Sequence, residues 1–234
     1  MVGEAESLSA ELEALKREGA NLLVLSGGVD SGACHGLLGE CRETRRRLFV
    51  TTGEVPDDLR VRACPNPTPK TVGHVHVTTG QTRAAAQQSN GESADWTPAT
   101  VSPTSEEHYS VVSDPTDLRT LSRHVHQHLH RFEGAVPEPK PGEIRLCFDS
   151  LDPILDAVDR SRLQEFLQTV STRVRLARGI AHYHLSLSAA RMVPDEIAPY
   201  FDGVVERRQT SDGPRQRWTL RESGVQTDWL PLRP

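Results

Sequence analysis

"NLLVLSGGVDSGACHGLL", residues 21–38, decides the fold. NLLVL at 21–25 is an apolar run behind a single Asn21, as a strand covered on both faces requires. Glycines follow at 27, 28 and 32. Over 31–44, Ala33, Leu37, Leu38 and Cys41 then recur at helical spacing. A buried strand, a glycine turn and a helix form the first half of a βαβ unit, and RLFVTT at 47–52 supplies its second strand. Working outward from this junction, the chain reads as α/β with a mostly parallel sheet.

Upstream, Leu8, Leu12 and Leu15 predict a helix over 5–18 that Gly19 ends. Downstream, TVGHVHVTT (71–79) and HYSVVS (108–113) read as strands. The stretch 80–107 between them is mostly Gln, Ser, Thr, Gly, Pro and Glu. Its apolar surface is too small to fold alone, so it is expected to be a mobile insertion. Leu118, Leu121, Val125, Leu129 and Phe132 predict a helix over 115–132, capped by Asp114 or Thr116. IRLCF (144–148) and IAHYHLS (180–186) are further strands, with helices expected around 160–177 and 194–201. The turns SDGP and ESG separate GVVERR, RQRWTL and VQTDWL, which predicts an antiparallel meander at the end. The division is an N-terminal helix over 1–20 and one domain over 21–234.

Bulk properties exclude several classes. At 234 residues and 36% hydrophobic content, the chain can bury a core but has no run long enough to span a bilayer. A net charge of −5 and a pI near 6.1 leave no basic footprint for nucleic acid. The four cysteines, Cys34, Cys41, Cys64 and Cys147, lack C-x-x-C spacing, so reduced thiols are expected. The charged, helical start carries no signal-peptide pattern, and a cytoplasmic location is the expectation.

The glycine turn admits three readings. As a plain βα turn, Asp30 caps the helix that starts near Ser31. As a P-loop, Gly27 and Gly32 have the G-x-x-x-x-G spacing, but Ala33 and Cys34 stand where Lys and Ser/Thr should be. The lysine would grip the β/γ-phosphates and the hydroxyl would bind Mg²⁺, so losing both cripples hydrolysis while backbone binding survives. Third, Ser26 to Ser31 spell SGGVDS, which is similar to the pyrophosphate loop of ATP pyrophosphatases such as the asparagine, NAD and GMP synthetases, which adenylate a substrate.

Three further segments resemble the RecA superfamily, in its KaiC-like branch. RLFVTTGEVPDDLR (47–60) is similar to the second strand, which leads there into a glutamate pair; Gly53 and Glu54 occupy those positions. IRLCFDSLDPIL (144–155) resembles the Walker B strand, with Asp149 as its acid, and FDGVVERR (201–208) resembles the start of the closing meander. More narrowly, the chain resembles a group of haloarchaeal proteins with eroded Walker motifs, a likeness that implies no activity. The resemblance implies ATP and Mg²⁺ as ligands. It matches Gly27 and Gly32 to the Walker A glycines, Asp149 to the metal-orienting acid and Glu54 to the water-activating acid; with the SGGVDS likeness, nucleotide binding is expected at Ser26, Gly27, Gly28, Asp30, Ser31 and Gly32. Phosphoryl transfer is mostly positioning and charge stabilisation, so a base without its cationic clamp has little to act on. The implied function is a non-catalytic regulatory or signalling module with a protein partner; the alternative is an adenylating ATP pyrophosphatase. They differ in strand order. The RecA-like frame sets strand 180–185 beside 21–25, whereas the pyrophosphate-loop frame sets 48–51 there. An active ATPase with a lysine from elsewhere would need Lys70 or Lys140.

RHVHQHLHR (123–131) offers two i,i+4 pairs, His124/His128 and His126/His130, on opposite flanks of the apolar stripe, too far apart to form one four-ligand site. A solvated face is the expectation for both. His182 and His184 share one face of their strand, whose end approaches the loop, so His184 or Ser186 could sense a ligand; ordinary packing is the alternative. Trp218 and Trp229 are expected to cover the sheet edge or core.

Overall fold

The computed structural model describes residues 2–27, 33–39, 44–52, 68–79, 109–190 and 197–232. Among the described residues nine strands form one sheet: β1 (Ala20–Ser26), β2 (Arg46–Thr51), β3 (Val72–Val77), β4 (Tyr109–Val112), β5 (Ile144–Phe148), β6 (Ile180–Ser186), β7 (Gly203–Thr210), β8 (Gly213–Leu220) and β9 (Leu230–Pro231). Their spatial order is β4-β3-β2-β5-β6-β1-β7-β8-β9. Every pairing from β4 through β7 is parallel, and β7-β8-β9 is the antiparallel meander. The helices are α1 (Val2–Glu18), α2 (Ala33–Leu38), α3 (Leu118–Gly134), α4 (Asp152–Ala157), α5 (Arg160–Leu176) and α6 (Leu187–Ala190).

This is a RecA-like α/β fold. Strand β6 lies beside β1, and β2 lies beyond β5, as the RecA-like frame requires. Among the described residues β1 pairs with β6 and β7, and not with β2 as the pyrophosphate-loop frame calls for.

The two faces of the sheet differ in chemistry. On the back face, Leu48, Val50, Val75, Val77, Leu146 and Phe148 meet the stripes of α3 and α5 in one apolar core. A fully buried Asn21 ties that core together: its amide donates to the Ser171 carbonyl at 3.2 Å and accepts from the Tyr183 hydroxyl at 3.1 Å. On the front face lie two smaller apolar clusters, one of Leu22, Val24, Leu37, Val205 and Trp218, the other of Leu38, Phe49 and Cys147. Between and beside them the front face carries polar side chains. His74, Cys147, His182 and His184 are all buried.

Short α2 is held from below by its C-terminal end. Gly39, with φ +78°, follows it in the left-handed region. Arg145 donates to the Leu37 carbonyl at 3.1 Å and Arg47 to the Gly39 carbonyl at 2.9 Å. Two cations thus meet the negative end of a helix that has no length to spare. At the same edge Arg46 pairs with Glu143 at 3.0 Å, both side chains buried.

Several boundaries differ from expectation. The cap of α3 is Asp117, which accepts from the Thr120 N–H at 3.0 Å. Asp114 instead accepts from the Thr116 N–H and hydroxyl at 2.8 Å, closing a turn around Pro115. His128 joins the buried stripe of α3 and bonds Ser110, so it does not belong to a solvated face. Of the helix expected over 194–201, the described residues form a 3₁₀ turn at Ala198–Tyr200, and VQTDWL contributes an isolated bridge at Gln226 and Leu230, the first residue of β9. Trp218 is buried on β8, while Trp229 stacks under the Arg208 guanidinium at 3.8 Å. The insertion expected over 80–107 lies outside the described residues. Among the described residues, no helix is long and apolar enough to cross a membrane.

Candidate functional site

The C-terminal ends of the parallel strands form the candidate site. The connection from β1 through α2 runs leftward across the front face to β2; that from β5 through α5 runs rightward across the back. After adjacent β1 and β6 the helices lie on opposite faces: α2 packs Leu37 and Leu38 on the front, and α6 packs Ala189 and Ala190 against the back core, which makes the ends of β1 and β6 a topological switch point. In open α/β sheets ligands bind at such a switch point. Ser26 and Ser186 are register partners at its base. Gly27 follows; a Cβ there would meet Leu187 of α6 at 3.6 Å, so the loop leaves β1 directly over α6.

Asp149 follows β5 at the same end. Its Oδ1 accepts from the Thr52 N–H at 2.9 Å and the Thr52 hydroxyl at 3.1 Å, and that hydroxyl also reaches the Ser150 carbonyl at 2.8 Å. Burial pushes its pKa up to about 6, against the opposing pull of the Thr52 hydrogen bonds and of His184. The acid is thus latched between β2 and β5 and costly to leave charged without a cation. This fits a group that orients Mg²⁺ through water, and it equally fits a structural clamp.

Asp152 is a second acid that sequence reasoning missed. Its carboxylate accepts from the Ser186 hydroxyl at 2.5 Å, the Ser186 N–H at 3.1 Å and the Ser150 hydroxyl at 2.8 Å. Ser186 in turn bonds Ser188 at 2.9 Å and receives the Ala189 N–H at 3.1 Å. The signal was present in the D-S-x-D spacing of 149–152, which places an acid in the first turn of α4. Its meaning depends on β6 ending alongside, which is a long-range pairing.

The structure thus brings Ser26, Gly27 and Asp149 to one end of the sheet, together with Ser186. Gly28, Asp30, Ser31, Gly32 and Glu54 lie outside the described residues. Ala33 opens α2. Lys140 lies just before β5, at the opposite end of the sheet, with its backbone N–H bound to Glu143. Lys70 lies just before β3, also at that far end. Neither is positioned to replace a missing clamp at the mouth of β1. The His124 and His126 rings bond within their own helix, to Gln127 at 3.3 Å and to the Ser122 carbonyl at 2.8 Å.

Comparison with known proteins gives a family and a structural likeness. The model of a family of unknown function, DUF7504, matches residues 19–207. No curated protein matches the chain. Among solved structures, the chain is similar to a KaiC-like protein from the hyperthermophilic archaeon Pyrococcus horikoshii OT3. Identity is 14% and the TM-score 0.46, over 87% of this chain and 80% of that one.

Proposed function

We propose that this chain, which belongs to the DUF7504 family, is a non-catalytic regulatory or signalling module on a RecA-like frame. In this reading it holds nucleotide weakly and acts through contacts with a protein partner. The observation that carries the reading is the switch point itself. Ser26 and Ser186 meet where the connections part, and the loop after Ser26 has Ala33 and Cys34 in place of the Lys and Ser/Thr that grip a triphosphate. The backbone of a glycine turn still offers N–H donors to an anion. Asp149 would hold Mg²⁺ through water, and that ion would supply the charge neutralisation the absent lysine cannot. Glu54 is the acid best matched to water activation, but with no cationic clamp it does not drive turnover.

Isothermal titration with Mg-ATP tests the binding half of this reading. The expected result is weak saturable binding, with Kd on the order of 0.1–1 mM, as suits backbone contacts without a dedicated cation. Substituting Gly27→Val should abolish it. Absence of any heat at millimolar nucleotide would overturn it. The SGGVDS hexapeptide keeps the adenylating alternative as a second reading, and sustained pyrophosphate release in the presence of carboxylate or amide acceptors would favour that reading instead.

A further inference from the structure

Three donors from two neighbouring strands converge beneath α2. The Cys147 Sγ and one imidazole nitrogen each from His182 and His184 lie within 4.8 Å of one another, and all three residues are buried. Their placement follows from the sheet. Cys147 of β5 is the register partner of His182 on β6, and His184 is the next residue on the same face, its ring centroid 5.3 Å from that of His182. The ladder hydrogen bonds therefore hold the three donors on rigid elements. Leu38 of α2 and Phe49 of β2 close over the thiol.

We propose that Cys147, His182 and His184 form a buried site for a zinc-class metal ion, independent of the nucleotide reading. The donor set selects the ion. One thiolate and two imidazoles suit Zn²⁺ and disfavour Mg²⁺ and Ca²⁺, which take oxygen ligands. Around a tetrahedral Zn²⁺, with bonds of about 2.0–2.3 Å, the donors would stand roughly 3.4–3.6 Å apart. With all three donors within 4.8 Å of one another, the contraction needed is at most about 1.4 Å, within the reach of side-chain rotation. Three protein ligands leave a fourth position for water.

The untagged full chain titrated with Co²⁺, then with Zn²⁺, tests this. The expected result is one equivalent of Co²⁺ with a near-ultraviolet thiolate-to-cobalt band that Zn²⁺ bleaches. Cys147→Ser should lose the band, and His184→Gln should weaken binding at least tenfold. The triple variant Cys34→Ser, Cys41→Ser, Cys64→Ser should retain both. No thiolate band in the wild-type chain, or a band that survives Cys147→Ser, would overturn the site. Should Cys147→Ser fail to fold, alkylation of the wild-type chain in mild denaturant decides. Zn²⁺ but not Mg²⁺ should protect Cys147, and equal labelling with and without Zn²⁺ contradicts the proposal.

Discussion

His74 shows how a single buried side chain ties the protein to pH. Its Nε2 is 2.7 Å from the Thr51 hydroxyl, which also meets His76 Nδ1 at 3.1 Å, and the Tyr109 ring packs edge-on at 5.0 Å. Burial first, then the neighbouring His76 and His128, lowers its pKa from 6.5 to about 3. The native state therefore keeps the ring neutral where the unfolded chain would protonate it. Stability from this group is complete above pH 6.5 and drains away as pH falls from 6.5 towards 3. The loss should be on the order of 3 kcal/mol by pH 4. Urea midpoints measured from pH 7 to 4 should fall, and His74→Gln should flatten the slope; an unchanged slope would contradict this assignment. Gly73 is equally specific. A Cβ there would sit 2.4 Å from the His128 Nδ1, so Gly73→Ala should cost about 1–3 kcal/mol. Pairing it with His128→Ala in a double-mutant cycle should recover much of that loss. The sequence offered His128 only as half of an i,i+4 pair. Its burial depends on β3 presenting a glycine opposite, which helix periodicity alone does not reveal.

Among the elements, α2 depends most on its neighbours. An isolated helix of this length does not persist in water, so its ends must be held by the sheet. Arg47 and Arg145 do this at the carbonyl end. Replacing Arg145 with Met keeps apolar bulk and removes the donor. It should cost about 1–2 kcal/mol in chemical unfolding and raise amide exchange in α2 more than in β5. Glu143→Gln should cost more, about 3–5 kcal/mol, because it leaves buried Arg46 facing a neutral partner. Strands were the most legible elements. NLLVL, RLFV and IRLCF are apolar runs broken only by Asn21, Arg47 and Arg145, because each strand is covered on both faces, and all three are strands. Helix starts were less legible. Asp114, Thr116 and Asp117 all carry capping side chains, and the choice of Asp117 follows from Pro115 being used in the preceding turn. Short α4 escaped notice because its apolar stripe is a single buried residue, Ile154.

At the scale of the whole molecule, strand order links sequence to site. The parallel class of the sheet and its closing meander follow from buried runs and turn residues. The order β5-β6-β1 comes from the family resemblance and not from any local pattern. That order sets Ser186 beside Ser26, Asp152 beneath Ser186, and Cys147 against His182. The glycine-rich segment after β1 was therefore visible in the sequence as a motif, whereas Asp152 and the cysteine–histidine cluster emerge only when distant strands pair. In the proposed reading, the glycine turn after β1 lacks the loop cation that makes hydrolysis fast. Phosphate release from Mg-ATP by the purified chain tests this most directly. The account expects release indistinguishable from the uncatalysed background, unchanged by Glu54→Gln. Turnover near ~1 s⁻¹ or faster, abolished by Glu54→Gln, would contradict it.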